Sequence, residues 1–421
     1  MARSFLPTAA ARGPFAPDFW RSPLRGPWFT SVLGVVLLGG ITILFVTGLL
    51  SYAAYNPDLA RVNDKTPGKG LLGFYLFPWP TDPPWLYRLT QGVHVTLGLV
   101  LVPVLLAKLW SVVPRLFTLP PARSLTHALE RISLLLLVGG ALFEFTTGIL
   151  NVQLDYVFPG SFYPLHFYGA WVFIGAFVAH AVLKAPTAMR NLRNLRNLRN
   201  VRDGGEELVA PRPDPPTVSR RGALGLVGGG SLLLFATSAG RSFDGPLRET
   251  AVLTPHGGPE PGSGPGGFQI NKTAAYAGIR TAETTEEAWR LVVTGPAGTV
   301  RLSRAGLLGL PLHSAALPIA CVEGWSTSDQ WWRGVRLRDL AALAGHQEPV
   351  DVFVESLQRR GAFRRGALRA NQVADPRSLL ALFVNGEELT PDHGYPARII
   401  VPAAPGVLNT KWVARLTFGA L

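Results

Sequence analysis

Cys321 is the only cysteine among 421 residues, so it has no intrachain disulfide partner. A lone thiol packs as a small apolar group, reacts as a nucleophile or binds a metal. Histidines carry a second chemical signal: His94, His166 and His180 lie inside long apolar runs, and His127 opens another. An ionisable side chain in such a run is costly without a partner. It marks either a function or a hydrogen-bonded contact between helices.

The elements that must position these groups follow from hydropathy. Hydrophobic residues make up 48% of the chain and charged residues 16%, a balance that leans towards membrane spans. Apolar runs at about Thr30–Tyr52, Leu86–Val112, His127–Val152 and Phe162–Ala185 each exceed the ~20 residues needed to cross a bilayer. A shorter run comes next at Ala223–Ala239. The net charge is +13, with the basic residues beside these runs in the positive-inside pattern. No helix-turn-helix, zinc or RNA-binding signature accompanies that charge, which argues against nucleic acid as a partner.

Lys and Arg are rich in the tail before the first run, in the Lys108–Arg123 loop and from Lys184 to Arg221. Both ends of the four-span unit are therefore expected in the cytoplasm, and a fifth span places the C-terminal domain outside. The expected organisation is a cytoplasmic tail (1–29), a four-helix transmembrane unit (30–185), a basic linker (186–222), a fifth span (223–240), a flexible linker (241–267) and an extracytoplasmic domain (268–421). The basic linker repeats an Asn-Leu-Arg triplet, and the aromatic loop Phe74–Trp85 reads as an interfacial belt or a cover over a buried cofactor. Short β-rich runs at Leu291–Thr294, Val350–Glu355, Leu380–Asn385 and Arg398–Pro402, with helical stretches at Ser303–Leu308 and Val335–Ala344, make the last domain mixed α/β and β-rich.

Depth sorts the histidines. With this orientation His94 and His166 lie near the outer surface, and His180 is about 21 Å further along its helix at ~1.5 Å per residue. His166 and His180 share a face, since fourteen steps of ~100° come within about 40° of four turns. That geometry suits two haems b, one between His94 and His166 and a second between His127 and His180. The unit resembles the haem-b, cytochrome b561-like membrane subunits of bacterial redox enzymes, although its first span has no histidine. Glu144 reads equally as a proton carrier at a quinone site or as a side chain snorkelling to the surface.

The segment Cys321-Val322-Glu323-Gly324-Trp325, with Trp332, Gly334 and Leu337-Arg338-Asp339-Leu340 beyond it, resembles the molybdenum-binding core of the sulfite oxidase family, which includes the periplasmic methionine sulfoxide reductases. The resemblance covers about 268–421. It implies that Cys321 is the thiolate holding molybdenum beside a molybdopterin, a role that suits soft sulfur. It further implies that Asn271 and Ser356 face the cofactor. His393 and Arg398, in His-Gly-x-Pro-x-Arg, would hold the pterin and its phosphate, and Asn409-Thr410-Lys411 would complete the cradle. An Arg–Lys pair is chemically apt for that anion. Where many relatives have a tyrosine near the metal, this chain has Phe363 among arginines. Ser219-Arg220-Arg221-Gly222 resembles a twin-arginine export signal, which would carry the domain across already folded; an ordinary basic flank is the other reading.

These features imply a molybdopterin-dependent oxidoreductase of the bacterial plasma membrane. It would transfer an oxygen atom on a small S- or N-oxide, or on sulfite, and exchange electrons with the quinone pool through haem b. The alternative is a non-catalytic haem anchor with a degenerate binding module.

Overall fold

The computed structural model describes residues 13–16, 19–70, 72–117, 124–153, 157, 159–193, 213–243, 245–253 and 268–421. Most of the Asn-Leu-Arg repeat lies outside these residues.

Five long helices come first: α1 (Pro27–Ala54), α2 (Leu86–Val112), α3 (Leu125–Gln153), α4 (Phe162–Arg193) and α5 (Arg220–Ser238). All five are long and apolar enough to cross a membrane. Proline opens α1, where its missing N–H is not needed and its fixed φ favours the first turn. Ser219 caps α5, its hydroxyl accepting from the Gly222 N–H at 3.0 Å, and both arginines of the export-like motif are exposed at that helix start.

A mixed α/β domain comes next, with short helices α6 (Leu247–Thr250), α7 (Ala274–Ala277), α8 (Arg304–Leu308), α9 (Leu337–Leu343) and α10 (Ala370–Ala374). Its strands are β1 (Leu291–Gly295), β2 (Gly298–Leu302), β3 (His313–Leu317), β4 (Gln330–Arg336), β5 (Val352–Ser356), β6 (Arg365–Leu368), β7 (Leu379–Val384), β8 (Glu387–Glu388), β9 (Arg398–Ile400) and β10 (Val413–Phe418). One sheet has the order β2-β1-β10-β5-β6; the other runs β3-β4-β7-β8, with β9 also on β7. The first and last strands pair in parallel, Val293 opposite Leu416, so the two ends of the domain close on each other. Leu291, Val293, Val354, Leu416 and Phe418 join Leu337, Leu340 and Ile399 in the larger core. A second core gathers Leu317, Trp325, Trp332 and Ile400 around Cys321.

The chain packs as two compact units. The first takes described residues of Met1–Phe45, Leu97–Gly148 and Tyr168–Phe235. There Gly40 lies where any Cβ would collide with Leu101, 2.5 Å away, so α1 and α2 approach closely. The second takes Val46–Thr96, Ile149–Phe167 and Ala236–Leu421, and so joins segments of α1, α2 and α4 to the α/β domain.

Two sequence expectations change within the second unit. The segment from 241 is not a free linker over its described part: Arg241 and Ser242 are buried, and the Arg241 carbonyl accepts from the Ser326 N–H at 2.8 Å. The aromatic loop is not simply a belt. Trp79 is 1% exposed and donates to the Ala403 carbonyl at 2.7 Å, while Phe74, Phe77 and Trp85 stay exposed.

Candidate functional site

Cys321 stands at the tip of a narrow loop. Its N–H donates to the Trp325 carbonyl at 2.8 Å, and its own carbonyl accepts from the Gly324 N–H at 3.0 Å. Ala320 bridges to Ser326 and to Pro405, and Thr327 returns to Ile319 through both its N–H and its hydroxyl. The thiol is 2% exposed. Burial first, then the Glu323 carboxylate, pushes it well above the usual thiol range, as apolar surroundings do to any thiol.

The basic groups expected around it converge. Arg398 is 2% exposed, and its guanidinium donates to the His393 carbonyl at 3.0 Å and the Asn409 carbonyl at 3.3 Å. The Lys411 ammonium donates to the Lys272 and Asp392 carbonyls, each at 2.8 Å. Burial lowers Arg398 to about 9. Burial, Arg398 and Lys272 push Lys411 well below the ordinary lysine value. Gly394 makes this packing possible: its φ is +112°, and a Cβ there would lie 3.1 Å from Lys411 and 3.2 Å from Arg398.

His393, expected to hold the pterin and its phosphate, has both ring nitrogens within reach of protein groups. Its Nδ1 meets the Thr390 hydroxyl at 2.8 Å and its Nε2 the Phe268 carbonyl at 3.2 Å, so both nitrogens are engaged with protein groups. Burial and the Arg398 charge lower it to about 4, and the neutral ring props the lead-in segment at Phe268. The Asn409 side-chain oxygen accepts from the Val401 N–H at 2.9 Å. The Ser356 hydroxyl donates to the Lys411 carbonyl at 2.7 Å and fixes the backbone of that lysine. Asn271 is exposed.

Its neighbour Lys272 turns inward instead, donating to the Ala362 carbonyl at 2.9 Å. Burial lowers it to about 8, against the raising influence of Cys321, Asp64 and Glu323. In sequence it is one more lysine; only the folded chain brings it into the field of Cys321. Phe363 is buried with φ +57°, a strained setting for an aromatic residue. Its ring centroid is 5.1 Å from Tyr163 and 6.1 Å from Tyr55. The arginines around it point elsewhere: Arg359 pairs with Glu283 and Arg365 with Asp64, and Arg360 and Arg364 are exposed.

Among the described residues no cluster of three or more His, Cys, Asp or Glu side chains could hold a bare metal ion. A metal at Cys321 must therefore bring other ligands with it. The surroundings fit an anionic chelate: Arg398 Nε and Thr410 Oγ1 are buried without hydrogen-bond partners, and Arg398 and Lys411 are met by carbonyls. A bound phosphate would accept from these donors and favour the charged forms of Arg398 and Lys411.

The imidazoles of His94 and His166 lie in the same unit, 6.3 Å apart between ring centroids. Two imidazoles on opposite faces of one iron, with metal–nitrogen bonds of ~2 Å, stand about that far apart. His94 Nδ1 is 3.1 Å from the Thr47 hydroxyl, a contact that orients the ring, while Phe162 stacks on His166 at 4.9 Å. His180 is half-buried on α4 in the other unit; the side chain of its expected partner, His127, lies outside the described residues.

Residues 278–420 match the family model of the oxidoreductase molybdopterin binding domain. The C-terminal part of the chain, of mixed α/β fold and preceded by five apolar helices, is thus similar to molybdopterin-binding oxidoreductase domains. Cys321, Ser356, His393, Arg398, Asn409, Thr410 and Lys411 fall inside the match, whereas Asn271 and Lys272 precede it. Among similar proteins, the uncharacterized oxidoreductase YuiH of Bacillus subtilis (strain 168) is 32% identical over 131 residues, 31% of this chain and 65% of that one. The mitochondrial sulfite oxidase of Rattus norvegicus is 30% identical over 158 residues, covering 31% of this chain and 29% of its own. The NADH nitrate reductase of Volvox carteri is 38% identical over 103 residues, 22% of this chain and 12% of its own. The chain therefore spans 65% of YuiH and under a third of the other two.

Proposed function

We propose that this chain is a membrane-anchored molybdenum oxidoreductase that moves an oxygen atom to or from a small substrate outside the bacterial plasma membrane. The substrate is an S- or N-oxide, or sulfite. Electrons pass to or from the quinone pool through a haem b between His94 and His166, and His127 with His180 are the candidate ligands of a second haem. The observation that carries this reading is the presence of the Cys321 loop and the His94–His166 pair in one compact unit.

Bound at Cys321, molybdopterin supplies the oxygen-atom and electron-pair chemistry. The chain's own residues do the rest. Cys321 gives the anchoring thiolate, and Arg398, Thr410 and Lys411 hold the anionic end. Lys272 sets a positive charge beside the site, and Phe363 with Tyr55 and Tyr163 keeps its rim apolar. In the reductive direction, a quinol and a sulfoxide become a quinone, a sulfide and water. In the other, sulfite, water and a quinone become sulfate and a quinol. The reductive direction is the favoured one.

The five apolar helices and the flanking arginines support an orientation with the N-terminus in the cytoplasm. The exposed Arg220–Arg221 pair supports twin-arginine export of the folded domain. The test is the visible spectrum of detergent-purified protein with metal analysis. Haem bands that reoxidise with dimethyl sulfoxide, or become reduced with sulfite, are expected in the wild type but not in Cys321→Ser. A protein with neither molybdenum nor haem overturns the reading and leaves an anchor with a binding module.

A further inference from the structure

The Cys321 loop is docked on the stretch of α2 that carries His94. Gln91, one turn before that histidine, is 4% exposed. Its Nε2 donates to the Val322 carbonyl at 2.5 Å, and its Oε1 accepts from the Ser51 hydroxyl of α1 at 2.8 Å. Four residues on, Val95 receives Gly324, whose φ is +92° and whose Cβ, if it had one, would lie 2.6 Å from Val95. Only glycine permits that approach. The Ser242 hydroxyl donates to the Gly324 carbonyl at 2.7 Å and lies 3.5 Å from the Thr96 hydroxyl. Ser326 returns the contact by donating to the Ser242 carbonyl at 2.8 Å. Arg88, Gln91 and Val95 are spaced along one face of the helix, and Arg88 reaches the Thr327 carbonyl at 3.4 Å.

We propose that Gln91 is the positioning residue that couples the Cys321 loop to the histidine pair. Its hydrogen bond gives a polar link from the Val322–Glu323 peptide, one residue beyond Cys321, to the helix turn that ends at His94. Bonds alone then join the two redox positions, with no jump through space: along the loop to the Val322 carbonyl, across one hydrogen bond, and down one turn of α2. This rests on the proposed binding of molybdopterin at Cys321 and haem at His94 and His166. Val95, Gly324 and Ser242 fix the register, and Ser51 holds the Gln91 amide in the orientation that aims its N–H at Val322. By this proposal an electron injected at either site crosses more slowly when the contact is lost, because the contact fixes the separation and orientation of the two positions.

The test uses full-length protein in detergent and the variants Gln91→Met, of similar length but without a donor, and Ser51→Ala. A deazaflavin flash injects an electron without any substrate, and the haem band then reports its redistribution to the molybdenum site. Gln91→Met is expected to slow that relaxation about tenfold, the scale on which one link in a coupled network acts. Its haem potential, band positions and molybdenum content should be unchanged; Ser51→Ala should be slowed less. Independently, in protein produced without molybdenum, amide hydrogen exchange in 319–327 should quicken in Gln91→Met while the 291–302 hairpin does not change. Wild-type relaxation in Gln91→Met, or wild-type exchange at 319–327, overturns the proposal. A wild-type protein lacking haem or molybdenum removes the underlying reading and the proposal together, and shows itself before any variant is compared.

Discussion

His94 and His166 face each other with ring planes 81° from parallel and centroids 6.3 Å apart. Under the proposed function this pair, one ring from α2 and one from α4, would hold one haem iron. His94→Ala or His166→Ala should each abolish the reduced haem α-band of the purified protein. Thr47→Val should retain the band but weaken haem retention by about ten- to a hundredfold, the usual effect of losing an outer-shell partner. Retention of the full band in both alanine variants would place the haem elsewhere.

Cys321 can be followed without ambiguity because no other thiol is present. At 2% exposure it should resist iodoacetamide in the native protein and react within minutes once unfolded. Cys321→Ser should keep haem and lose molybdenum, measured by elemental analysis of the same sample. Rapid native alkylation would contradict the buried loop.

The neutral state of His393 has a pH signature. Its pKa falls from 6.5 to about 4 through burial and the Arg398 charge, so between these values the unfolded chain binds the proton more readily. The stability this ring contributes is complete above about pH 6.5 and is lost as pH falls towards 4, ~3 kcal/mol at most. The midpoint of thermal unfolding, read by tryptophan fluorescence, should drop across that window. The drop should be shallower in His393→Gln, and equal slopes would assign it to other groups.

Trp79 tests the packing of the 56–82 loop. Replacing a buried tryptophan by alanine typically costs about 3–5 kcal/mol, and the Ala403 carbonyl would also lose its donor. Trp79→Ala should lower the unfolding midpoint and speed amide exchange in 400–406. Trp85→Ala, at an exposed position, should do neither.

Much of this fold is readable from hydropathy, because a long apolar run and a short alternating one have few structural outlets. Even α2 begins at Leu86 and ends at Val112 where the run does. The site is less evenly legible. Cys321, Arg398 and Lys411 lie in a local sequence pattern, and their convergence follows its order. Lys272 and Gln91 carry no local signal: a lysine beside an exposed asparagine looks solvated, and a glutamine in an apolar helix looks like a packing contact. What makes them matter is a carbonyl brought from far along the chain, at Ala362 and Val322. For His393 the motif does not foretell that its two nitrogens meet Thr390 and Phe268, because Phe268 comes from far along the chain. Val335, expected to begin a helix, pairs with Leu380 in β4 because the neighbouring strand needs it.

The 56–82 loop holds the α/β domain by contacts that do not depend on the residues between 253 and 268. Asn56 reaches the Ala367 carbonyl and Gln372, Asn63 accepts from the Ala367 N–H, and Arg377 meets Asp82. A polypeptide nicked between 253 and 268 should migrate as one particle until denatured, and two separately encoded halves carrying these same faces could assemble into the same oxidoreductase.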